Sequence, residues 1–338
     1  MMREKLFNKI YGCLLGVAAG DALGMPTSLL PPDEIQRLFP GGVDSFLPAP
    51  AGHMIHDQMV AGEITDDTQQ TLLLADLFLA TGSFTAEGVA RKLITWAERI
   101  NAFDGMYLGP SSLRALTLIR GGADISKTGL IGDTNGASMR ISAVGLAHPG
   151  DLEAVVTDTA EVCKPTHNTN IAIAGAAGVA SFIAAALDSD NLEECIDAYF
   201  YGVKAGMQRG GKWTAASIQH RTEWALNLVR SGKSEKDIWS DLYNYIGTGV
   251  ATSEAVPTSL ALVVMYAGDP WQVIRAAANL GGDCDTIGAI AGSMAGAFAG
   301  ADTFPDHVAP KIEAVNQLGL EEYAYRFVKK LSIAEGFS

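Results

Sequence analysis

Apolar residues recur at the helical period along almost the whole chain, and no stretch alternates with the period of two that a half-buried strand requires. The pattern is plainest after Thr65, where Leu72, Leu73, Ala75, Leu77, Phe78 and Leu79 form a run that stops at Thr81-Gly82. Ser83-Phe84-Thr85 then opens a second helix through Val89, Leu93, Trp96 and Ala97. The same spacing predicts helices over 8–24, 111–120, 137–147, 151–162, 168–187, 191–208, 213–231, 234–246, 253–266, 270–279, 286–300 and 308–333. The expected fold is therefore all-α, a compact bundle of many helices. No linker or repeat divides it, so residues 1–338 are expected to form one domain. The Pro/Gly-rich segment from Pro31 to Gly62 reads as a long surface loop, and loops of that length in helical domains are often functional.

Two runs, Ile171 to Leu187 and Ile287 to Ala301, carry no charge, yet each is shorter than the ~20 residues of a spanning helix. Both are rich in Ala and Gly, which suits a buried helix packed closely on its neighbours, so no membrane span is expected. In the second run Gly288, Gly292, Gly296 and Gly300 recur every fourth residue. Each costs ~1 kcal/mol of helix propensity relative to Ala, a loss that tight backbone contact offsets.

Charge narrows the function. Lys and Arg number 24 against 38 Asp and Glu, a formal net charge of −14, and no basic tract exists to follow a phosphate backbone. Nucleic acid is thus disfavoured, and none is expected as a partner. Cys13, Cys163, Cys195 and Cys284 are isolated, with no CxxC pair, and the N-terminal run continues through Asp21 as a helix rather than a leader. A reducing, cytoplasmic location is the expectation.

The chemistry lies in two short acidic clusters, Thr65-Asp66-Asp67-Thr68 and Asp283-Cys284-Asp285-Thr286, each at the start of an apolar helix. Neighbouring carboxylates repel, so four gathered together call for a cation, and Asp and Thr are the oxygen donors that a hard divalent ion takes. The alternative for either cluster alone is an ordinary acidic helix cap. Other aspartate-based metal motifs fit poorly. The haloacid-dehalogenase Asp-x-Asp-x-Thr spacing is broken by Thr286 directly after Asp285, and an EF-hand would need further oxygen ligands where Ile287 begins an apolar helix. A terpene-synthase Asp-Asp-x-x-Asp motif meets Gln69-Gln70 in place of its second acidic element.

Six ordered segments carry a resemblance: Gly16-Val17-Ala18-Ala19-Gly20-Asp21-Ala22-Leu23-Gly24, Thr65-Asp66-Asp67-Thr68, Asn135-Gly136-Ala137-Ser138-Met139-Arg140, Thr166-His167, Glu254-Ala255-Val256-Pro257 and Gly281-Gly282-Asp283-Cys284-Asp285-Thr286. Together they resemble the ADP-ribosylglycohydrolase family over most of the chain. The resemblance implies that family's orthogonal helical bundle and two divalent cations, Mg2+ or Mn2+. Thr65, Asp66 and Asp67 would hold them from one side, and Asp283, Asp285 and Thr286 from the other. It implies hydrolysis of a ribosyl N- or O-glycosidic bond by an activated water, with Asp67 and Asp285 catalytic. Asp21, Ser28, Asn135, Gly136 and His167 would bind substrate, an ADP-ribosylated protein or a small ribosyl compound.

One position departs from the family. Where many members continue the first signature with Glu, this chain has Ser28, which leaves open a nucleoside-like or other small glycoside as substrate, or a non-catalytic ADP-ribose-binding relative. Asp57, Glu63 and Asp104 are candidates for a replacement acid, with ordinary solvated acids as the alternative. His53 and His56 lack partners for a zinc pattern and read as a surface loop. Trp96, Trp213, Trp224 and Trp271 read as helical core residues, and Phe103 and Tyr107 as candidates to stack on an adenine.

Overall fold

The structure, a computed structural model, describes residues 2–105 and 108–334, and among these no strand occurs. In chain order the helices are α1 (Met2–Gly24), α2 (Pro32–Leu38), α3 (Asp66–Thr81), α4 (Ala86–Arg99), α5 (Pro110–Arg120), α6 (Ile125–Thr128), α7 (Gly136–Met139), α8 (Ser142–Ala147) and α9 (Leu152–Cys163). They continue with α10 (Asn170–Asp188), α11 (Leu192–Gly206), α12 (Ile218–Val229), α13 (Glu235–Asp241), α14 (Thr252–Met265), α15 (Pro270–Leu280), α16 (Cys284–Ala299), α17 (Val308–Asn316) and α18 (Leu320–Ala334). The all-α expectation holds.

The glycine repeat explains the centre of the molecule. Gly12, Gly16 and Gly20 of α1 face Gly296, Gly292 and Gly288 of α16, so the two helices run antiparallel with their backbones in contact. A methyl group at Gly20 would stand 2.0 Å from the Gly288 carbonyl oxygen. Gly24 continues the seam, facing the backbone of Cys284 and Asp285. Gly300 does not: it caps α16 and lies against Asn8. α10 is long and apolar enough to cross a membrane by length and composition, but 89% of its apolar window is buried inside the protein.

Several predicted boundaries shift. The 137–147 helix is broken into α7 and α8, with Arg140 and Ile141 between them and the Arg140 side chain fully buried. The 213–231 helix begins only at Ile218, where Ser217 caps it through the His220 N–H. The 308–333 helix is split by Gln317 and Gly319, both at positive φ, and Glu313 accepts the freed Gly319 and Leu320 N–H groups. A short helix, α2, lies inside the Pro31–Gly62 segment. Of the tryptophans, Trp96 is core, but Trp213 lies outside any helix and Trp224 is 53% exposed, stacked on Tyr245.

Candidate active site

A cleft of about 620 Å³ opens where the N-termini of α3, α5, α7 and α16 converge. Thr65, Asp66 and Asp67 enter it from α3, and Asp283, Asp285 and Thr286 from α16, so the two acidic clusters share one cavity. The start of α3 is set from below by Asp21 of α1. Its carboxylate accepts the Thr65 and Thr68 N–H groups at 3.0–3.1 Å and the Thr68 hydroxyl at 2.5 Å. Thr65 caps the helix and donates its hydroxyl to Asp67 Oδ2 at 3.1 Å. Gly282 sits at φ +86°, where a side chain would be strained and would strike the Thr248 carbonyl, and Asp283 donates its N–H to that same carbonyl at 2.7 Å.

The 247–251 segment joins both walls. Thr248 receives Asp283, and Val250 accepts the Asn135 N–H at 2.9 Å. Asn135 in turn donates to Asp283 Oδ2 at 2.5 Å. Glu254 fixes the segment by accepting the Gly249 N–H at 3.0 Å.

Electrostatics distinguish the carboxylates. Withdrawal from water raises Asp66 to about 7, and the charges of Asp285 and Asp21 add to the effect. Burial and the surrounding carboxylates hold Asp67 well above its ordinary value, and burial with the Asp285 charge does the same for Asp283 against the bond from Asn135. Asp21 stands at about 6, raised by burial and, more weakly, by Asp285. Asp285 goes the other way. Burial would raise it, but the bond and charge of His56, with the Ser28 hydroxyl and the Thr286 N–H, leave it below its ordinary value. Burial opposes charge on His56, yet its contact with Asp285 prevails and its pKa rises.

Asp66 is tied backward: the Gln70 side-chain amide donates to its Oδ2 at 2.7 Å, and the buried Arg140 donates to the Oε1 of that same amide. Asp67 Oδ1 is buried and has no hydrogen-bond partner. A carboxylate oxygen so left, among carboxylates pushed toward protonation, fits a divalent cation. Among the described residues no three acidic, His or Cys side chains close into a ready-made cage, so the donors are divided between two walls.

Not every expected substrate residue reaches the cleft. Asn135 and Gly136 line it. Asp21, Ser28 and His167 are fully buried one layer behind. Asp21 holds the start of α3, and Ser28 donates to Asp285 Oδ1 at 2.6 Å. His167 accepts from Arg140 at 3.3 Å through Nδ1, which leaves its Nε2 proton for Thr134 Oγ1 at 2.9 Å. Burial and the charges of Arg140 and Arg114 keep that imidazole neutral.

The surface-loop reading of His53 and His56 is overturned. Each is 7% exposed, their rings stack at 5.2 Å, and His56 lines the cleft with Nε2 2.9 Å from Asp285 Oδ2. The sequence signal for them was the long loop itself. Of the candidate acids only Glu63 reaches the cleft, while Asp57 accepts the Gly52 N–H and Asp104 is exposed. Phe103 is covered by the Arg120 guanidinium at 4.1 Å, and Tyr107 lies outside the described residues. Trp96, Ser112 and Thr134 line the cleft without having been singled out as site residues.

The fold is thus all-helical, with two acidic helix starts that face each other across one cleft. The chain belongs to the ADP-ribosylglycohydrolase family, whose model matches residues 2–335, and it is a glycosidase of that family. It is 36% identical to the uncharacterized protein YegU of Escherichia coli (strain K12), over 95% of this chain and 96% of that one. It is 25% identical to the ADP-ribosylarginine hydrolase Tri1 of Pseudomonas putida (strain GB-1), over 91% and 75%. A solved structure described as an ADP-ribosylglycohydrolase-related protein complex superposes with a TM-score of 0.70 at 22% identity, covering 97% of this chain and 99% of that one. Family members are generally dependent on divalent metals.

Proposed function

We propose that the protein hydrolyses the bond between the anomeric carbon of ADP-ribose and an acceptor on a modified protein or small molecule, with two Mg2+ or Mn2+ ions in the cleft. The observation that carries this reading is the meeting of Asp66 and Asp67 with Asp283 and Asp285 across one cavity, with Asp67 Oδ1 left unpartnered. Thr65, Asp66 and Asp67 would hold cations on one wall, and Asp283, Asp285 and Thr286 on the other. Bound there, the ions would offset the carboxylate charge, polarise ribose hydroxyls and lower the pKa of a water.

The chain's own groups supply the rest. Asp67, with Oδ1 free of protein partners and Oδ2 bonded only to the Thr65 hydroxyl, would give one oxygen to an ion and leave the other to take a proton from the attacking water. Asp285, held on both oxygens, is a fixed anion for the positive charge that develops on the sugar as the acceptor leaves. The N-terminus of α5, with Ser112 beside Asn135 and Gly136, has no side-chain cap and is the end suited to the diphosphate. Arg140 and Arg114 lie behind that end, close enough to depress His167. Trp96, Ile100, Leu108 and Leu113 supply apolar walls that shed water from the cleft.

One observation favours a second reading, a nucleoside-like substrate: among the described residues His56 is the only basic side chain lining the cleft. Incubating the chelator-treated protein, with and without Mn2+, with ADP-ribosyl-arginine, ADP-ribosyl-serine and a set of nucleosides decides between them. Release of ADP-ribose is the expected product. Turnover of nucleosides alone would replace the first reading with the second, and no turnover of any would end both.

A further inference from the structure

We infer that His56, supplied by the long segment between Pro31 and Gly62, is a positioning residue: it fixes Asp285 and thereby the ion-binding wall formed by Asp283, Asp285 and Thr286. The inference rests on the divalent-ion reading above, and goes beyond it by assigning a residue that the two acidic motifs do not contain.

Hydrogen-bond accounting at Asp285 leads there. Oδ1 accepts from the Ser28 hydroxyl at 2.6 Å and from the Thr286 N–H at 2.9 Å. Oδ2 faces His56 Nε2 at 2.9 Å. An ionised carboxylate only accepts, so Nε2 carries the proton. The other ring nitrogen of His56 is buried and unpartnered, so the ring makes its polar contact with Asp285. Without His56 the carboxylate would keep its Oδ1 bonds and lose the one that stops it turning about them.

The loop is shaped to hold that ring. His53 Nδ1 accepts the N–H of His56 at 3.1 Å and of Ile55 at 3.4 Å, and the two imidazoles stack with 20° between their planes. Met59 donates its N–H to the His56 carbonyl at 3.1 Å and accepts from the Ala49 N–H at 3.0 Å, while Asp57 takes the Gly52 N–H at 2.8 Å. A turn is thus closed on itself around one inward-pointing imidazole. The opposite wall is organised otherwise, since Asp66 is held by the neutral amide of Gln70 and Asp67 has an open oxygen. The ion site therefore has one wall fixed by an imidazole and one that carries the unpartnered oxygen of Asp67.

The test titrates the chelator-treated full-length protein with Mn2+ alone, following free Mn2+ by electron paramagnetic resonance, for the native protein, His56→Ala and His56→Gln. Loss of an outer-shell partner weakens metal binding by roughly 10- to 100-fold. The expected result is that His56→Ala raises the Mn2+ dissociation constant by at least about tenfold, while His56→Gln, whose amide can still donate to Asp285, stays within about threefold. If His56→Ala fails to fold, His56→Phe keeps the ring on His53 without the donor and is expected to behave as the alanine variant should. An unchanged constant in the donor-less variant, a glutamine variant as weak as that variant, or no Mn2+ binding by the native protein would each overturn the inference. Native-like Mn2+ behaviour without release of ADP-ribose would remove the proposed substrate and leave the His56 assignment standing.

Discussion

Gly16 of α1 and Gly292 of α16 meet backbone to backbone. A methyl group on Gly16 would stand 2.0 Å from the Gly292 carbonyl oxygen, and one on Gly292 would stand 2.2 Å from that of Gly16. Neither obstacle is a side chain that can swing aside, so the helices themselves must part. Because α16 carries Asp285 in its first turn and α1 carries Asp21, this seam also sets the spacing of the site floor. Gly16→Ala is expected to cost about 3 kcal/mol or more, or to prevent folding. Thermal denaturation checks it, and a midpoint within a degree of native would show that the seam tolerates a methyl group.

Asp67→Asn keeps the side-chain volume but lowers the basicity of a carboxylate whose Oδ1 is buried without a protein partner. The turnover number should fall by at least about a hundredfold, the scale of general-base removal. Steady-state kinetics on the substrate that the panel identifies would show it. Native-like turnover would take Asp67 out of the chemistry.

Divalent ions should stabilise the native protein in proportion to their occupancy, by about 2.7 kcal/mol at a hundred times the dissociation constant. The thermal midpoint should therefore rise with Mn2+ and fall back on adding chelator. In Asp283→Ala, which removes a donor from the α16 wall, the rise should be much reduced.

Asn135→Ala removes the amide that donates to Asp283 Oδ2 at 2.5 Å. It should weaken Mn2+ binding by roughly tenfold and lower activity with it. Equal Mn2+ affinity in the variant and native protein would show that the 247–251 segment alone suffices to hold Asp283.

Lys9 of α1 is buried and donates to the Ala186 and Ser189 carbonyls at the end of α10, beside Asp190 at 2.7 Å. Bonds from Lys5 and Lys9 lower Asp190 from its ordinary value to about 2. A depressed carboxylate stabilises the fold above its unfolded pKa of about 4 and loses that contribution as pH falls toward about 2. Asp190 is largely exposed, so the effect is small. Asp190→Asn should melt slightly below native at pH 7, and the two should converge near pH 2. A gap that persists in acid would assign the difference to packing.

Much of this architecture was legible because it is local. The helical period marks α3, α4, α9, α10 and α16 closely, since which face of a segment is apolar is written into its own residues. Breaks were harder. The division of 308–333 depends on Gln317 adopting positive φ with Glu313 capping the next turn, and neither residue announces it.

The sequence by itself determined the helical class, the glycine face of α16 and the two acidic helix starts. Only the tertiary structure decided what stands around them. It drew Asp21, Ser28 and His167 behind the cleft wall and brought His56 to Asp285 across 229 positions of chain. Periodicity specifies each helix's buried face, but which loops meet depends on how closely those faces approach, and that was set by α1 lying directly on α16.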